Sequence, residues 1–249
     1  MPMPVRFASA SDVGRRRDSM QDTVTARSLS AASAVLLVVA DGMGGAAAGD
    51  VASHLAAEVS ATFIEKSATG DLDPEAVAAL LQEAISLANA AVLADVDTNP
   101  SRAGMGTTLV LAWVEEDHVT IANVGDSRAY VRHEEALEQV SEDHSYVEER
   151  VRAGRLTPEE ARIHPYRNVI TRVIGTQAEV TGDLMTRRLS AGDLVLLATD
   201  GLHGPVDDEA IARRLDHPDL DVLAQGLIDA ANEAGGLDNI GLAVARVES

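Results

Sequence analysis

The stretch Val35–Gly45, VLLVVADGMGG, constrains the fold more than any other part of the chain. It opens with Val35–Ala40, an unbroken apolar run of the kind that forms a strand buried on both faces. Asp41 follows at once, and Gly42 after it permits a tight turn and a close backbone approach to a ligand. A carboxylate at the end of a buried strand needs an ion-pair partner or a metal ion, because an uncompensated buried charge is costly.

The same arrangement of an apolar strand and an acidic residue recurs in the chain. Asp126 and Asp200 end further apolar strands, and Asp238 stands just before the strand Ile240–Val247. If these strand ends meet at one edge of the fold, the acidic residues form a cluster with Asp41. Like charges that close cannot all stay ionised without a cation. The sequence therefore predicts a site for more than one metal ion, built from oxygen ligands.

The composition excludes several kinds of protein. Of the 249 residues, 46% are hydrophobic, which is typical of a globular chain. The net charge of -20 argues against a nucleic-acid partner, which needs a basic surface. The lack of cysteine excludes disulfides and thiolate metal sites. We find no signal-like N-terminus and no apolar stretch long enough to span a bilayer, so we expect a soluble, cytoplasmic protein and a monomer.

Two amphipathic helices are predicted after the glycine-rich turn. In residues 50–64 one apolar stripe recurs every four positions, at Val51, Leu55, Val59 and Phe63. The second helix begins with Asp73 as its cap and Pro74 in its first turn, and it ends near residues 97–100. Its predicted buried face comprises Val77, Leu80, Leu81, Ile85, Ala88 and Val92. Two such helices in succession form a layer over a sheet.

The remaining elements are mostly strands. They are predicted at residues 6–11, 23–27, 105–115, 118–124, 127–132, 169–174, 182–189, 194–199 and 240–247. We expect the three strands between residues 105 and 132 to form an antiparallel meander, since they are joined by short turns. Helices are predicted at residues 207–215 and 220–233.

The segment from residue 140 to residue 168 has a different character. A helix is predicted from residue 140 to Gly154, with Asp143 as its candidate cap. The pattern Thr157-x-x-Glu160 is a capping box and opens a short second helix. Residues 155–168 are polar and poor in core side chains, so we expect a mobile flap.

Eight short motifs occur along the chain in a particular order. They are Ser11–Gly14 with Arg17 and Asp22, Asp41–Gly45 with Gly49, Gly106–Thr108, Gly125–Tyr130, Asp143–Ser145, Arg167–Arg172, Thr199–Leu202 and Gly235–Ile240. Any one of them alone would be weak, because short motifs match by chance. Taken together, the chain resembles the metal-dependent Ser/Thr protein phosphatases of type 2C, in their bacterial form, over nearly its whole length.

The resemblance implies the fold and the activity. The fold would be an α+β, α-β-β-α sandwich of two antiparallel sheets flanked by helices, which agrees with the predicted order of elements. Residues 1–249 would form a single catalytic domain with a flap at about residues 145–168. The activity would be hydrolysis of phosphoserine and phosphothreonine in proteins through a metal-activated water, on substrates of a Ser/Thr kinase.

The resemblance also assigns roles to individual residues. Asp41 would bridge two divalent ions, with the Gly42 carbonyl as a ligand of one and Asp200 and Asp238 as ligands of the other. Asp22 would lie in the same acidic cluster. A third, weaker ion would lie at Asp126 and Asp200, with a candidate ligand from the segment around Asn168. Arg17 would bind the phosphate of the substrate. Hard oxygen ligands suit Mn²⁺ or Mg²⁺.

Three positions depart from the family pattern. Gln21 stands where many members have Glu, which drops a charge and puts the affinity for the second metal in doubt. Met43 replaces the histidine that eukaryotic relatives have as a proposed general acid. Ala46 stands where many bacterial members have histidine.

Other functions use the same residue types. A related phosphatase that acts on anti-sigma antagonists in partner switching shares the acid cluster, and the flap favours the general phosphatase. An inactive binding module with this fold is opposed by the intact acidic residues. Structural roles are favoured for His144, as a hydrogen-bonding residue, and for Arg128, as a salt-bridge partner. Arg15 and Arg16 are expected to be solvated.

Overall fold

Two antiparallel sheets form the centre of the molecule. The computed structural model describes residues 5–29, 32–44, 48–70 and 72–248. The first sheet has the order β1 (Val5–Asp12), β11 (Ile240–Val247), β10 (Leu194–Ala198), β7 (Arg128–His133) and β8 (Ala136–Gln139). The second has the order β2 (Asp22–Leu29), β3 (Ala34–Met43), β5 (Leu109–Val114), β6 (His118–Val124) and β9 (Asp183–Arg188), with β4 (Gly106–Thr107) pairing the end of β3.

Helices cover the outer face of each sheet. Against the second sheet lie α1 (Gly49–Ser67) and α2 (Pro74–Thr98). Against the first sheet lie α5 (Asp200–His203), α6 (Asp208–Ala212) and α7 (Leu220–Glu233). The flap carries α3 (Tyr146–Arg152) and α4 (Pro158–Arg162). The predicted α-β-β-α sandwich is therefore confirmed.

Strand β3 contributes apolar side chains to both faces of the second sheet. Successive side chains of a strand point to opposite faces. Leu36 and Val38 pack in the cluster with the helices α1 and α2. Leu37 and Val39 pack in the cluster between the sheets, together with Val195 of β10. The unbroken apolar run is thus the signature of a strand that is covered on both sides.

The predicted stripe of α1 is wrong in its phase. The buried positions include Ala52, Ala56 and Ala61, whereas Val51, Leu55 and Phe63 are only half-buried. Small alanines let the helix approach the sheet closely, so the larger apolar residues lie on the flanks of the contact. Hydrophobicity alone does not report this preference for small side chains.

The expectation that no stretch could span a bilayer also needs correction. By length and composition, the 25 residues of α2 are sufficient to cross a membrane. In the structure α2 lies in the helical layer, where Val77, Leu81 and Ile85 are fully buried in the same cluster as Trp113 of β5. Core helices of soluble proteins pass the same test, and α2 packs as one.

The predicted meander is correct for two of its three strands. β5 and β6 pair antiparallel, but β7 pairs with β10 in the other sheet. The chain crosses between the sheets at Gly125, whose φ of +109° lies in the region that favours glycine. The predicted strand 105–115 is interrupted at Thr108 between β4 and β5.

Three predictions in the second half of the chain are also corrected. Residues 169–174 form no strand and contribute only isolated bridges at Ile170 and Ile174. The helix predicted from residue 140 begins at Tyr146, and its cap is Ser145, whose hydroxyl accepts the N–H of Glu148 at 3.3 Å. The helix predicted at 207–215 is the shorter α6. The capping box of α4 is present as predicted.

Candidate active site

The ends of several strands bring acidic residues to one edge of the sandwich. Asp22 at the start of β2 is paired in register with Asp41 near the end of β3. Asp200 follows β10 and begins α5, and Asp238 stands before β11 in the turn beside them. The carboxyl of Asp41 lies within hydrogen-bonding reach of the carboxyls of both Asp22 and Asp200. The structure therefore brings together three of the predicted acidic residues directly.

Burial makes the negative charges of this cluster energetically costly. Loss of water raises the pKa of Asp22, Asp41 and Asp200, and the negative charges of their neighbours raise it further. Asp22 receives partial compensation, since the Thr199 hydroxyl donates to its Oδ2 at 2.8 Å. No such cluster stays fully ionised at neutral pH without a positive charge.

The backbone of Asp41 is fixed by two threonines. The Thr108 hydroxyl accepts the N–H of Asp41 at 2.8 Å, and the Thr107 hydroxyl donates to the carbonyl of Asp41 at 2.8 Å. The next residue, Gly42, has the carbonyl of Gly49 where a β-carbon would be, so no other residue fits there without a shift. These contacts hold the carboxylate and the backbone next to it in a defined position.

Asp126 lies behind the cluster at the corner between β6 and β7. Its Oδ1 is buried and has no hydrogen-bond partner within the described part of the chain. Burial, followed by the charge of Asp200, raises the pKa of Asp126 to about 7. The backbone is fixed by His203 of α5, whose Nε2 is 3.1 Å from the Asp126 carbonyl, the geometry of a donated hydrogen bond. An orphaned buried carboxylate oxygen is a suitable donor for a cation.

Arg17 reaches the cluster from the loop between β1 and β2. Its Nη2 lies 2.6 Å from Oδ2 of Asp238, and both side chains remain partly exposed. The hydrogen bond that Arg17 donates to Asp238 is the main cause of the raised pKa of Arg17. The pairing places the guanidinium at the acidic edge of the sandwich.

The loop that carries Arg17 is tied to the turn that carries Asp238. The side chain of Asn239 donates to the carbonyls of Val13 and Ser19 at 2.9 and 3.0 Å and accepts the N–H of Gln21 at 2.8 Å. Gly14 has a φ of +79°, and a β-carbon there would collide with the carbonyl of Asp238. The loop and the turn therefore form one unit.

An open pocket of about 510 Å³ lies over this edge. Its lining includes Asp41, Gly42, Asp200 and Asp238, as well as Arg16, Arg17, Asp18, Asn168 and Ile170. Asn168 brings the end of the predicted flap to the pocket. Ala46 lies outside the described residues.

The donor set fits a hard divalent cation, although the side chains are not closed around one. Among the described residues, no three His, Cys, Asp or Glu side chains form a ready-made ligand group. Asp238 is drawn to Arg17, which explains the open arrangement. Carboxylate and carbonyl oxygens, buried without enough partners, are the ligands that Mg²⁺ and Mn²⁺ prefer.

Three residues that shape the site have no role that was predicted from the sequence. These are Thr199, Asn239 and His203, which act through hydrogen bonds to residues far away in the chain. Thr199 and Asn239 stand directly beside acidic residues of the site, and that adjacency is the only signal the sequence offers. The predicted structural roles of His144 and Arg128 are confirmed, since His144 Nδ1 accepts the N–H of Gly125 at 3.0 Å and Arg128 pairs with Asp143 at 2.8 Å.

Comparison with known proteins places this site in a family. The sequence model described as protein phosphatase 2C matches residues 14–231. The chain belongs to the protein phosphatase 2C family. Its sequence is 40% identical over 243 residues to the serine/threonine protein phosphatase PstP of Mycobacterium tuberculosis, covering 98% of this chain and 45% of that protein. The chain thus spans less than half the length of that relative.

Other members of the phosphatase 2C family support the same placement. The serine/threonine phosphatase stp of Listeria monocytogenes is 37% identical over 206 residues, which is 82% of this chain and 81% of that protein. The crystal structure of the catalytic domain of PstP in complex with two manganese ions superposes with a TM-score of 0.85 at 36% identity, over 98% of this chain and 99% of that one.

Proposed function

We propose that this chain is a metal-dependent phosphoprotein phosphatase that hydrolyses phosphoserine and phosphothreonine. The observation that carries the proposal is the buried group of Asp22, Asp41 and Asp200 beneath a pocket that also holds an arginine. Such a group requires cations, and the pocket gives a phosphate ester access to them. Family membership supports the same activity.

The carboxylates would hold two Mn²⁺ or Mg²⁺ ions. Asp41 would serve both, with the Gly42 carbonyl on one side and Asp200 and Asp238 on the other. Asp22 completes the cluster, and its bond to Thr199 keeps it oriented. When bound, divalent cations supply the Lewis acidity that makes hydroxide available from water at neutral pH.

A weaker third ion would lie near Asp126 and Asp200. The unpartnered Oδ1 of Asp126 and the effect of Asp200 on its pKa support this placement. The hydrogen bond between His203 and the Asp126 carbonyl ties the two acidic residues together.

Arg17 would bind the phosphate of the substrate. Its planar guanidinium can donate two parallel hydrogen bonds to phosphate oxygens, and it neutralises charge on the group being transferred. The partial exposure of Arg17 leaves it accessible from the pocket. A cysteinyl-phosphate mechanism is excluded, because the chain has no cysteine.

The pocket lining supports phosphoserine and phosphothreonine over phosphotyrosine. Within the described residues the lining contains no aromatic side chain, so no slot packs against a phenyl ring. We further propose a single catalytic domain with residues 145–168 as its flap, a monomeric state, a cytoplasmic location and substrates made by a Ser/Thr kinase.

Hydrolysis of a phosphothreonine peptide tests the proposal. Activity should vanish in chelator and return with Mn²⁺ or Mg²⁺, and a phosphotyrosine peptide of the same sequence should be a poorer substrate by kcat/KM. Full activity in chelator would contradict metal dependence. A preference for the phosphotyrosine peptide would contradict the proposed specificity.

A further inference from the structure

Arg16 stands beside Arg17 in the lining of the pocket, but its surroundings differ. Arg17 is paired with Asp238. Arg16 is exposed and makes no hydrogen bond or ion pair with any residue that the structure describes. Its charge is therefore available to a molecule that enters the pocket.

The loop presents Arg16 from a fixed base. Besides the three hydrogen bonds of Asn239, the N–H of Arg15 donates to the carbonyl of Gly236 at 2.7 Å, directly before Arg16. An anchored backbone lowers the entropy lost when a side chain binds a ligand. Arg16 is thus better prepared for binding than an arginine on a free loop.

The charge of Arg16 is unusual for its setting. The chain carries a net charge of -20, so most of its surface repels acidic polypeptides. On the same loop, Asp18 also lines the pocket and is exposed. The pocket lining therefore offers a positive charge without a partner among the described residues and a negative charge two positions away, so the charge that a bound peptide meets changes along the loop.

We propose that Arg16 forms a second anionic subsite, which binds an acidic group close to the phosphorylated residue of the substrate. This inference rests on the proposed phosphatase function and specifies its substrate class. Adjacent residues of a strand-like peptide are about 3.3 Å apart, so a group one or two residues from the phosphorylated position lies within reach. The ligand is an anion, which is either a carboxylate or a second phosphate. Asp18 makes the preference one-sided.

Phosphothreonine peptides that differ only in one flanking residue test the subsite. Alanine, glutamate or phosphoserine is placed one or two residues before or after the phosphothreonine, and kcat/KM is measured with Mn²⁺. We expect glutamate to be preferred over alanine on one side by about two- to five-fold, the range of an exposed ion pair. Phosphoserine should give a larger ratio at the same position, because it carries more charge.

Substitutions in the loop distinguish the effect of the Arg16 side chain from that of the overall charge of the protein. Arg16→Ala should remove the preference and Arg16→Glu should reverse it, with the change in KM rather than in kcat. Arg16→Lys should retain part of it. Arg15→Ala is the matched control, since Arg15 is an exposed neighbour outside the pocket lining, and it should leave the ratio unchanged. High salt should weaken the preference of the parent.

The outcomes separate this inference from the function on which it rests. If the alanine-flanked peptide is not hydrolysed, the phosphatase proposal fails. If it is hydrolysed and the glutamate-to-alanine ratio is the same in the parent and in Arg16→Glu, the subsite is absent. Equal effects of Arg15→Ala and Arg16→Ala also contradict it, because they indicate a diffuse basic patch.

Discussion

Asp143 and Asp126 are both buried carboxylates, but within the described part of the chain only Asp143 has partners for both of its oxygens. Arg128 donates to Asp143 through Nε at 3.0 Å and Nη2 at 2.8 Å, and Gln139 Nε2 donates to it at 3.0 Å. Asp126, only two residues before Arg128, keeps an unpartnered Oδ1 within the described residues. Burial of a carboxylate therefore does not identify a functional site. An oxygen without a partner among the described residues, as in Asp126, makes a carboxylate the better candidate for a cation site.

The first test of the difference between Asp143 and Asp126 removes the partner of Asp143. Arg128→Leu leaves a buried charge uncompensated, and we expect the free energy of unfolding to fall by about 3–5 kcal/mol. Asp126→Asn removes the charge of a carboxylate whose Oδ1 has no partner within the described residues, so in chelator it should be neutral or stabilising. Chemical denaturation of both variants in chelator measures the difference. Equal destabilisation would mean that Asp126 is structural, like Asp143.

The pH dependence of stability gives the second test. Burial raises the pKa of Asp126 from 3.8 to about 7, so the folded protein holds a proton that the unfolded chain releases. In chelator the stability should therefore be highest near pH 4 and fall as the pH rises to about 7, by up to about 4 kcal/mol for a three-unit shift. Saturating Mn²⁺ should offset the fall, and Asp126→Asn should flatten it. A metal-free protein whose stability rises over this range contradicts the account.

A third test compares Arg17 with Arg15, which lies in the same loop. A charge-assisted contact to phosphate corresponds to roughly 1.5–3 kcal/mol, so Arg17→Ala should raise KM by roughly ten- to a hundredfold. Arg15→Ala should change KM little. Steady-state kinetics on p-nitrophenyl phosphate with Mn²⁺ decides this, and a similar KM for both variants would show that no specific clamp exists.

Asp126 should produce the smallest effect on turnover. Asp126→Ala is expected to lower kcat by about tenfold, the scale of a residue outside the central ligands. The rise in melting temperature caused by Mn²⁺ should largely survive, because the two central ions keep their ligands. If kcat equals that of the parent, the third ion is absent or structural. If the thermal shift disappears, Asp126 belongs with Asp41 instead.

Local patterns predicted the buried strands, the helical layer and the acidic edge, and the resemblance of the motifs to a known family implied the sandwich. The run Val35–Ala40 reports burial on both faces, and Asp41 follows it directly. The predictions that were wrong depend on contacts between residues far apart in the chain. Gly125 could turn the chain within a sheet or across to the other. Ser145 is the helix cap, whereas Asp143, the predicted cap, pairs with Arg128. His203 contacts the carbonyl of Asp126, 77 positions away, which no local pattern shows.

The central claim is that the buried group of Asp22, Asp41 and Asp200 binds divalent cations, because burial and mutual repulsion make its negative charges costly. Calorimetric titration with Mn²⁺ tests it most directly, on the parent, Asp41→Asn and Asp143→Asn, each below its unfolding transition. The parent should bind about two ions with measurable heat. Asp143→Asn should bind them similarly, and Asp41→Asn should lose both. Unchanged Mn²⁺ binding by Asp41→Asn would contradict the account.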